Sequence, residues 1–276
     1  MKTQQVYTFW LSVICFLPWA AFAQGDKKTT LSQSQKTALQ WIEDNMLKIK
    51  GGSFSMGENL TDLEKIELDN FFSGPIHTAT LSDFYLCRFE VTQAVWEALM
   101  GENPSKFQDC PDCPVENISW EDCKLFLQRL NQLSGKNYSL PTEAQWEYAA
   151  LGGAKTTRIT TYAGSDLLHE VGWYEENSEN RTHPVGEKAP NALGLYDMTG
   201  NVWEWCEDWF LETFYALPEA TELDPVNDDM PSEYPHKVLR GGSWANGTSY
   251  TRIKNRGMGV IDFPYEMMGL RLARMP

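Results

Sequence analysis

Two carboxylates bracket a glycine-containing turn in the second half of the chain. Asp197 and Glu204 stand on either side of Gly200 and Val202, within residues 191–210. Two acidic side chains and the two backbone carbonyls between them form an all-oxygen set, which suits a hard cation such as Ca²⁺. The spacing therefore predicts a calcium site whose ligands are the side chains of the two acids and the carbonyls of the glycine and the valine.

Three tryptophans, Trp203, Trp205 and Trp209, crowd the same turn. In an extended segment Trp203 and Trp205 point to opposite sides. Large rigid rings supply buried area where regular elements are few. The competing hypothesis is a rigid core turn, in which a bound ion would only cross-link the backbone and take no part in function.

Five cysteines follow residue 23: Cys87, Cys110, Cys113, Cys123 and Cys206. The "CPDC" segment lies in a polar loop beside prolines, and it predicts a local disulfide between Cys110 and Cys113. A thioredoxin-like redox pair would need a strand-to-helix context that this segment lacks. A zinc site would need a second pair of ligands nearby. Cys123 and Cys206 are expected to be buried thiols or each other's disulfide partner.

The N-terminus predicts export. Residues 1–23 have the pattern of a secretory signal peptide, with Lys2, an apolar run from Phe9 to Ala20, and "AFA" before Gln24. The run is too short to span a membrane. A lipid anchor at Cys15 is the alternative, which the bulky preceding isoleucine disfavours. We expect a periplasmic or extracellular protein without a membrane span.

The charge balance argues against a nucleic-acid partner. The 276 residues carry a formal net charge of −15, whereas nucleic-acid binding depends on neutralising phosphates with basic residues. The basic residues are scattered, except for a local cluster at Arg252, Lys254 and Arg256.

The elements that must position these residues are short. Residues 24–44 are predicted to be a polar, weakly helical lead-in, and 45–276 one domain. Alternating apolar residues predict a strand interrupted at Gly51 and Gly52, and one or two strands over residues 76–92. The acidic stretch 58–75 is expected to be a surface loop.

Three helices have recognisable N-caps at Thr92, Ser119 and Thr142, the second and third with capping boxes. Few residues after 150 have a helical pattern, and the remainder is rich in turns and aromatic residues. The fold class predicted is a loop-rich α+β domain with short helices.

Seven segments, in order, resemble the motifs of the formylglycine-generating enzyme (sulfatase-modifying factor) family over residues 45–274. They are "GGSFSMG", "FEVTQAVWEALMG", "PVENISWEDCKLFLQRLN", "YSLPTEAQWEYAALGG", "HPVGEKAPNALGLYDMTGNVWEWCEDW", "LRGGSW" and "GLRLAR". The resemblance implies a C-type-lectin-like fold with helices and antiparallel strands. It also implies a structural calcium ion at the turn that carries Asp197, Gly200, Val202 and Glu204.

The same resemblance implies a copper site that this chain lacks. The aerobic family enzymes oxidise a sulfatase cysteine with copper and oxygen, and hold Cu(I) on two thiolates just after "GGS" and an aromatic residue. The matching positions are Asn246 and Thr251, and no cysteine follows Cys206. An amide and a hydroxyl are poor ligands for Cu(I), so copper is not expected.

The family's substrate groove remains as an expectation. Its counterpart would be lined by Ser243, Trp244, Asn246, Arg252 and Arg256. The alternatives are core packing for Trp244, and ion pairing for Arg256 and Arg271. We expect a calcium-stabilised binding or assembly module of the cell envelope that recognises a peptide, a protein or a glycan. The alternative is a formylglycine-generating oxidase, or a related metal-dependent oxidation.

Overall fold

The computed structural model describes residues 30–68, 72–231 and 235–276, and the predicted signal peptide lies outside them. The helices are α1 (Gln33–Asn45), α2 (Asp62–Glu67), α3 (Gln93–Met100), α4 (Trp120–Ser134), α5 (Glu143–Ala150) and α6 (Leu168–Val171). The strands are β1 (Met46–Ile49), β2 (Gly52–Met56), β3 (His77–Leu81), β4 (Phe84–Glu90), β5 (Tyr138–Ser139), β6 (Trp203–Trp209), β7 (His236–Arg240), β8 (Gly257–Val260), β9 (Met268–Gly269) and β10 (Arg271–Arg274).

Short strands form two four-stranded sheets and a hairpin. The first sheet has the order β1-β4-β10-β5, the hairpin joins β2 and β3, and the second sheet has the order β8-β7-β6-β9. All pairs are antiparallel except β6 with β9, which is parallel. The α+β prediction with short helices and antiparallel strands is confirmed, with this one parallel pair added.

The predicted caps are in place because each hydroxyl satisfies a backbone N–H in the first turn. Thr92, Ser119 and Thr142 begin α3, α4 and α5, and the last two form complete capping boxes. Helices α3 and α4 end at Gly101 and Gly135, both in the left-handed region. The strand break at Gly51 and the strands over residues 76–92 are confirmed as well.

One segment differs from the sequence-based interpretation, and a second is helical as predicted. The loop predicted over 58–75 contains α2, which a capping box between Thr61 and Glu64 begins. Helix α1 covers most of the predicted lead-in, and it buries Ala38 and Ile42 beside α3. Residues 31–276 form one compact unit, so α1 packs with the strands that follow it.

Helix α5 is buried over its whole length, although it carries two acids. Glu147 pairs with Arg240 and Lys254, and Glu143 pairs with Arg256. Burying a charge is costly unless it is paired and hydrogen-bonded, so these pairs allow a helix with acids to lie in the core. Two of the partners belong to the segment that follows β7, and that segment carries the candidate site.

Candidate functional site

The loop after β7 turns sharply because of two glycines. Gly241 and Gly242 have φ angles of +98° and +76°, a region that favours glycine. A Cβ atom on Gly242 would lie 2.7 Å from Cγ2 of Thr251, so a side chain there would collide with this buried residue. Asn246 and Thr251, the two positions that the resemblance predicts to match the family's metal-binding cysteines, lie in the loop that follows this turn.

The side chains at these two positions are bound inside the protein. Oδ1 of Asn246 accepts hydrogen bonds from Oγ of Ser243 at 2.6 Å and from Nε1 of Trp203 at 2.9 Å. Oγ1 of Thr251 donates to the carbonyl of Thr248 at 3.1 Å, and Thr251 is fully buried. Both side chains therefore hold the loop in shape.

Most of the residues predicted to line a groove are buried. Ser243 and Trp244 lie in the interior, where Nε1 of Trp244 donates to the carbonyl of Glu266. Arg256 is 5% exposed, and both its Nε and its Nη2 bond to the Glu143 carboxylate. The predicted groove is therefore not lined by these three side chains, because their polar atoms have partners in the core.

The remaining two predicted groove residues are partly exposed. Asn246 is half-buried at the edge of the loop. Arg252 bonds to Glu58 at 2.7 Å, and the side chains of both residues are 16% exposed. Arg271, for which ion pairing was the alternative, is fully buried and bonds to Glu204.

A partly exposed aromatic ring that the sequence analysis did not select lies beside Trp244. Phe107 meets Trp244 edge-on, with ring centroids 5.5 Å apart. Lys106 and Arg181 approach the Phe107 ring at 5.4 Å and 5.7 Å, a distance that allows cation–π attraction. The available signal was a lone aromatic residue in the polar segment "NPSKFQDC". We call Phe107, Trp203, Trp244 and Asn246 the aromatic site.

Two of the five described cysteines form a disulfide and three are free. Cys110 and Cys113 form the predicted disulfide, and Cys87, Cys123 and Cys206 are free and buried. Cys123 and Cys206 are therefore not each other's partner. Burial raises the pKa of Cys87 to about 11, and it raises the pKa values of the other two free thiols. The described free cysteines are thus protonated at neutral pH, and neither nucleophilic attack nor metal binding is expected of them in the folded protein.

At the turn predicted to hold calcium, one carboxylate is left incomplete. Asp197 has a φ of +57° and is 2% exposed. Its Oδ2 accepts from the N–H of Gly186 at 2.7 Å, while its Oδ1 is buried without a partner. Burial raises the pKa of Asp197 to about 6. A cation would satisfy this oxygen, so Asp197 fits the predicted role.

Glu204 fits the role less well. Its carboxylate accepts from Nη2 of Arg271 at 2.6 Å and from Nε1 of Trp146 at 2.8 Å. Within the described ranges, no group of three or more His, Cys, Asp or Glu side chains is placed to hold a metal ion. An ion at this turn would depend on Asp197 and on backbone carbonyls, and would share Glu204 with Arg271.

No helix among residues 30–68, 72–231 and 235–276 combines the length and the apolar character needed to cross a bilayer.

The fold and the aromatic site define a loop-rich α+β domain of the C-type-lectin-like class. Treponema denticola variable protein 1 superposes with a TM-score of 0.68 and 29% identity, over 84% of this chain and 95% of that chain. PvdO from Pseudomonas aeruginosa has a TM-score of 0.71 at 24% identity over 84% and 94%, and it shows the same fold.

The chain belongs to the family of sulfatase-modifying factor enzyme 1-like domains, which residues 30–276 match. It is 28% identical to the chaperone protein LppX of Paenibacillus barcinonensis, over 93% of this chain and 98% of that protein. It is 33% identical to the formylglycine-generating enzyme of Thermomonospora curvata, over 86% of this chain and 95% of that enzyme. The chain therefore aligns over most of the length of two relatives, one named as a chaperone and the other named as an enzyme.

Proposed function

We propose that this protein is an exported, copper-independent binding module of the cell envelope that recognises a partner polypeptide, with calcium as a structural ion. A glycan ligand is the alternative within the same proposal. The protein acts by presenting a rigid surface built around the aromatic site.

The observation that carries the proposal is the bonding of Asn246. An amide oxygen with two internal donors stands where the family's copper enzymes have a thiolate, and Thr251 stands at the second such position. Soft thiolates hold Cu(I), whereas amide and hydroxyl oxygens bind it weakly. The free thiols among the described residues are buried, so they offer no substitute pair without a rearranged core.

Two further observations support polypeptide recognition. The similarity to a protein named as a chaperone extends over nearly the full length of both chains. The exposed part of the aromatic site combines the Phe107 ring with two cations, Lys106 and Arg181. Aromatic and arginine side chains are enriched where proteins bind one another.

The second candidate function is oxidation of a sulfatase cysteine. The 33% identity with a formylglycine-generating enzyme favours it. In that case the substrate would bind at the same aromatic site, but the metal would need ligands other than the pair described for the family.

An oxidation assay separates the two functions. The purified protein is incubated with a peptide containing Cys-x-Pro-x-Arg, copper and oxygen, and the peptide mass is then measured. The Thermomonospora curvata enzyme serves as the positive control, and a peptide with alanine in place of cysteine as the negative control. We expect no aldehyde to form on the peptide, and any disulfide formed by copper and oxygen alone to appear equally without the protein. Conversion of the cysteine to an aldehyde would overturn the proposal in favour of the oxidase.

A further inference from the structure

Strand β8 is a terminal strand with an open edge. It pairs with β7 on one side and lies at the end of the sheet order β8-β7-β6-β9. Among the described residues no strand pairs with its other side. Edge strands of β-sheets are commonly protected against pairing with other chains by charged residues or proline. Strand β8 has neither, since its sequence is Gly-Met-Gly-Val.

The two glycines of β8 determine which way its larger side chains point. A Cβ atom on Gly257 would lie 2.9 Å from the Trp203 ring, and one on Gly259 would lie 2.4 Å from the Trp205 ring. Because side chains alternate along a strand, Met258 and Val260 point away from these tryptophans. The strand thus packs on the core through glycine and presents its apolar side chains to solvent.

The apolar surface continues beyond the strand. The N–H of Phe263 donates to the carbonyl of Val260 in a turn, and the rings of Phe263 and Tyr265 lie 4.7 Å apart. Met258, Val260, Phe263 and Tyr265 are between 38% and 53% exposed. We call these four residues the apolar strip. Single exposed apolar residues are ordinary on a protein surface, but a run of large ones marks an interaction site.

The strip leads directly to the aromatic site. Glu266 follows Tyr265, and its carbonyl accepts from Nε1 of Trp244 at 3.1 Å. The carbonyl of Met267 accepts from the N–H of Trp203 at 2.8 Å. The backbone that ends the strip is therefore bonded to both tryptophans of the aromatic site.

Carboxylates border the strip. Asp262 lies within it and is exposed, and exposed Glu121 donates its backbone N–H to the carbonyl of Ile261. Glu266 lies at the end of the strip and pairs with Lys106. The protein as a whole has a net charge of −15. Complementary charge therefore favours a partner that carries Lys or Arg beside its apolar residues.

We infer that β8 accepts an additional β-strand from a partner polypeptide whose apolar residues alternate with Lys or Arg. Backbone hydrogen bonds to the free edge would supply affinity, and the apolar strip would select the side chains on one face. This inference rests on the proposed polypeptide-binding function and specifies where the partner binds.

The test uses three labelled synthetic peptides and fluorescence anisotropy with the purified protein. The first alternates Val or Leu with Lys, the second alternates the same residues with Glu, and the third is the first with N-methylated amides at alternate positions. We expect the first peptide to bind, and the other two to bind at least about tenfold more weakly, since one loses charge complementarity and the other its backbone donors.

Matched variants locate the binding. In Met258→Lys/Val260→Lys, affinity for the first peptide should fall by at least about tenfold, because two apolar contacts are lost and positive charge is added. Ile159→Lys changes another exposed apolar residue, 66% exposed, and should leave the affinity unchanged. Hydrogen exchange of the wild-type protein should show new protection over residues 257–263 when the first peptide is added.

Several results would overturn the inference. One is equal binding of the N-methylated peptide, and another is unchanged affinity in the β8 double variant. A third is a wild-type dimer that this variant converts to a monomer, because the partner would then be a second copy of the chain. If Phe107→Ala loses binding and the β8 double variant keeps full affinity, the polypeptide binds at the aromatic site alone. That result would be compatible with the proposed function. The proposed function itself is tested separately by the oxidation assay.

Discussion

Arg256 and Glu143 form an ion pair in the interior, so of the two predictions for Arg256, groove lining and ion pairing, the second is confirmed. The guanidinium lies 4.9 Å from the Phe210 ring and 4.2 Å from the Tyr215 ring, and it also donates to the carbonyl of Phe72. The sequence could not identify this pairing because its partners lie 113 residues apart. The acidic composition indicated only that a partner carboxylate would exist.

Arg256→Ala tests whether this residue is structural. The variant removes the two hydrogen bonds that Arg256 gives to the buried Glu143 carboxylate and leaves it only Arg240, whose Nη1 lies 3.7 Å away. The free energy of unfolding should therefore fall by up to about 3–5 kcal/mol. Arg252→Ala, at a partly exposed pair, should cost about 1 kcal/mol or less. Urea unfolding measures both, and an Arg256→Ala variant of wild-type stability would show that the pair is not structural.

Calcium is tested at Asp197, whose buried Oδ1 lacks a partner. We expect added calcium to raise the melting temperature relative to protein in EDTA, by an amount that grows with calcium concentration. Asp197→Ala should abolish the calcium dependence, whereas Asp166→Ala, at a surface pair with Arg158, should retain it. If chelation leaves the wild-type melting temperature unchanged, the calcium prediction is wrong.

Asp208 predicts a dependence of stability on pH. Burial, followed by the charge of Glu143, raises the pKa of Asp208 from 3.8 to about 7 in the folded protein. The stability that its bound proton contributes is full below pH about 4 and is lost as the pH rises to about 7, because the unfolded chain releases that proton earlier.

Asp208→Asn isolates this contribution. The amide loses one of the two acceptors that now bond to the N–H groups of Glu143 and Asn227, a cost that is independent of pH. The substitution should therefore destabilise the protein more at pH about 5 than at pH about 8. Urea unfolding at the two pH values provides the comparison, and an equal or larger cost at the higher pH would refute the assignment.

At the scale of elements, local signals predicted what local chemistry determines. The helices after Thr92, Ser119 and Thr142 begin where their caps indicated, since a capping side chain bonds within its own first turn. Helix α2 begins with the same signal, a capping box between Thr61 and Glu64, but the acidic residues and turn formers around it predict a loop. The parallel β6–β9 pair could not be predicted, since its strands are more than 50 residues apart and β9 has only two.

Removing the N-caps of α4 and α2 should have different effects on stability, because α4 packs in the core and α2 lies on the surface. Oγ of Ser119 accepts from the N–H of Asp122 and donates to its carboxylate, and α4 buries four apolar residues. Ser119→Ala should lower the free energy of unfolding by about 1 kcal/mol. Thr61→Ala removes the cap of α2, which has no buried residue, so global stability should not change and only local hydrogen exchange should increase. Equal effects in urea unfolding would contradict this difference.

At the scale of the whole molecule, the order of the motifs predicted the family and the fold, and both are confirmed. The site was predicted less completely. Sequence comparison identified the loop with Asn246 and Thr251, but not that Asn246 bonds to Trp203, nor that Phe107 comes from a distant loop to contact Trp244. Such contacts depend on the tertiary packing of loops, which no local pattern encodes.

The difference between a binding module and a copper enzyme rests on the ligands that this loop offers. Their replacement is therefore the most informative change. Asn246→Cys/Thr251→Cys places thiols at the two positions that the resemblance matches to the family's copper ligands. It removes the hydrogen bonds of both side chains but leaves the turn at Gly241 and Gly242 unaltered, so circular dichroism of the variant is the control for folding.

Titration with Cu(I) against a chromophoric chelator measures whether this loop binds copper. The wild-type protein should leave the metal with the chelator, because amide and hydroxyl oxygens are weak ligands for Cu(I). The double cysteine variant should withdraw copper from the chelator. Stoichiometric withdrawal of Cu(I) by the wild-type protein would contradict the account.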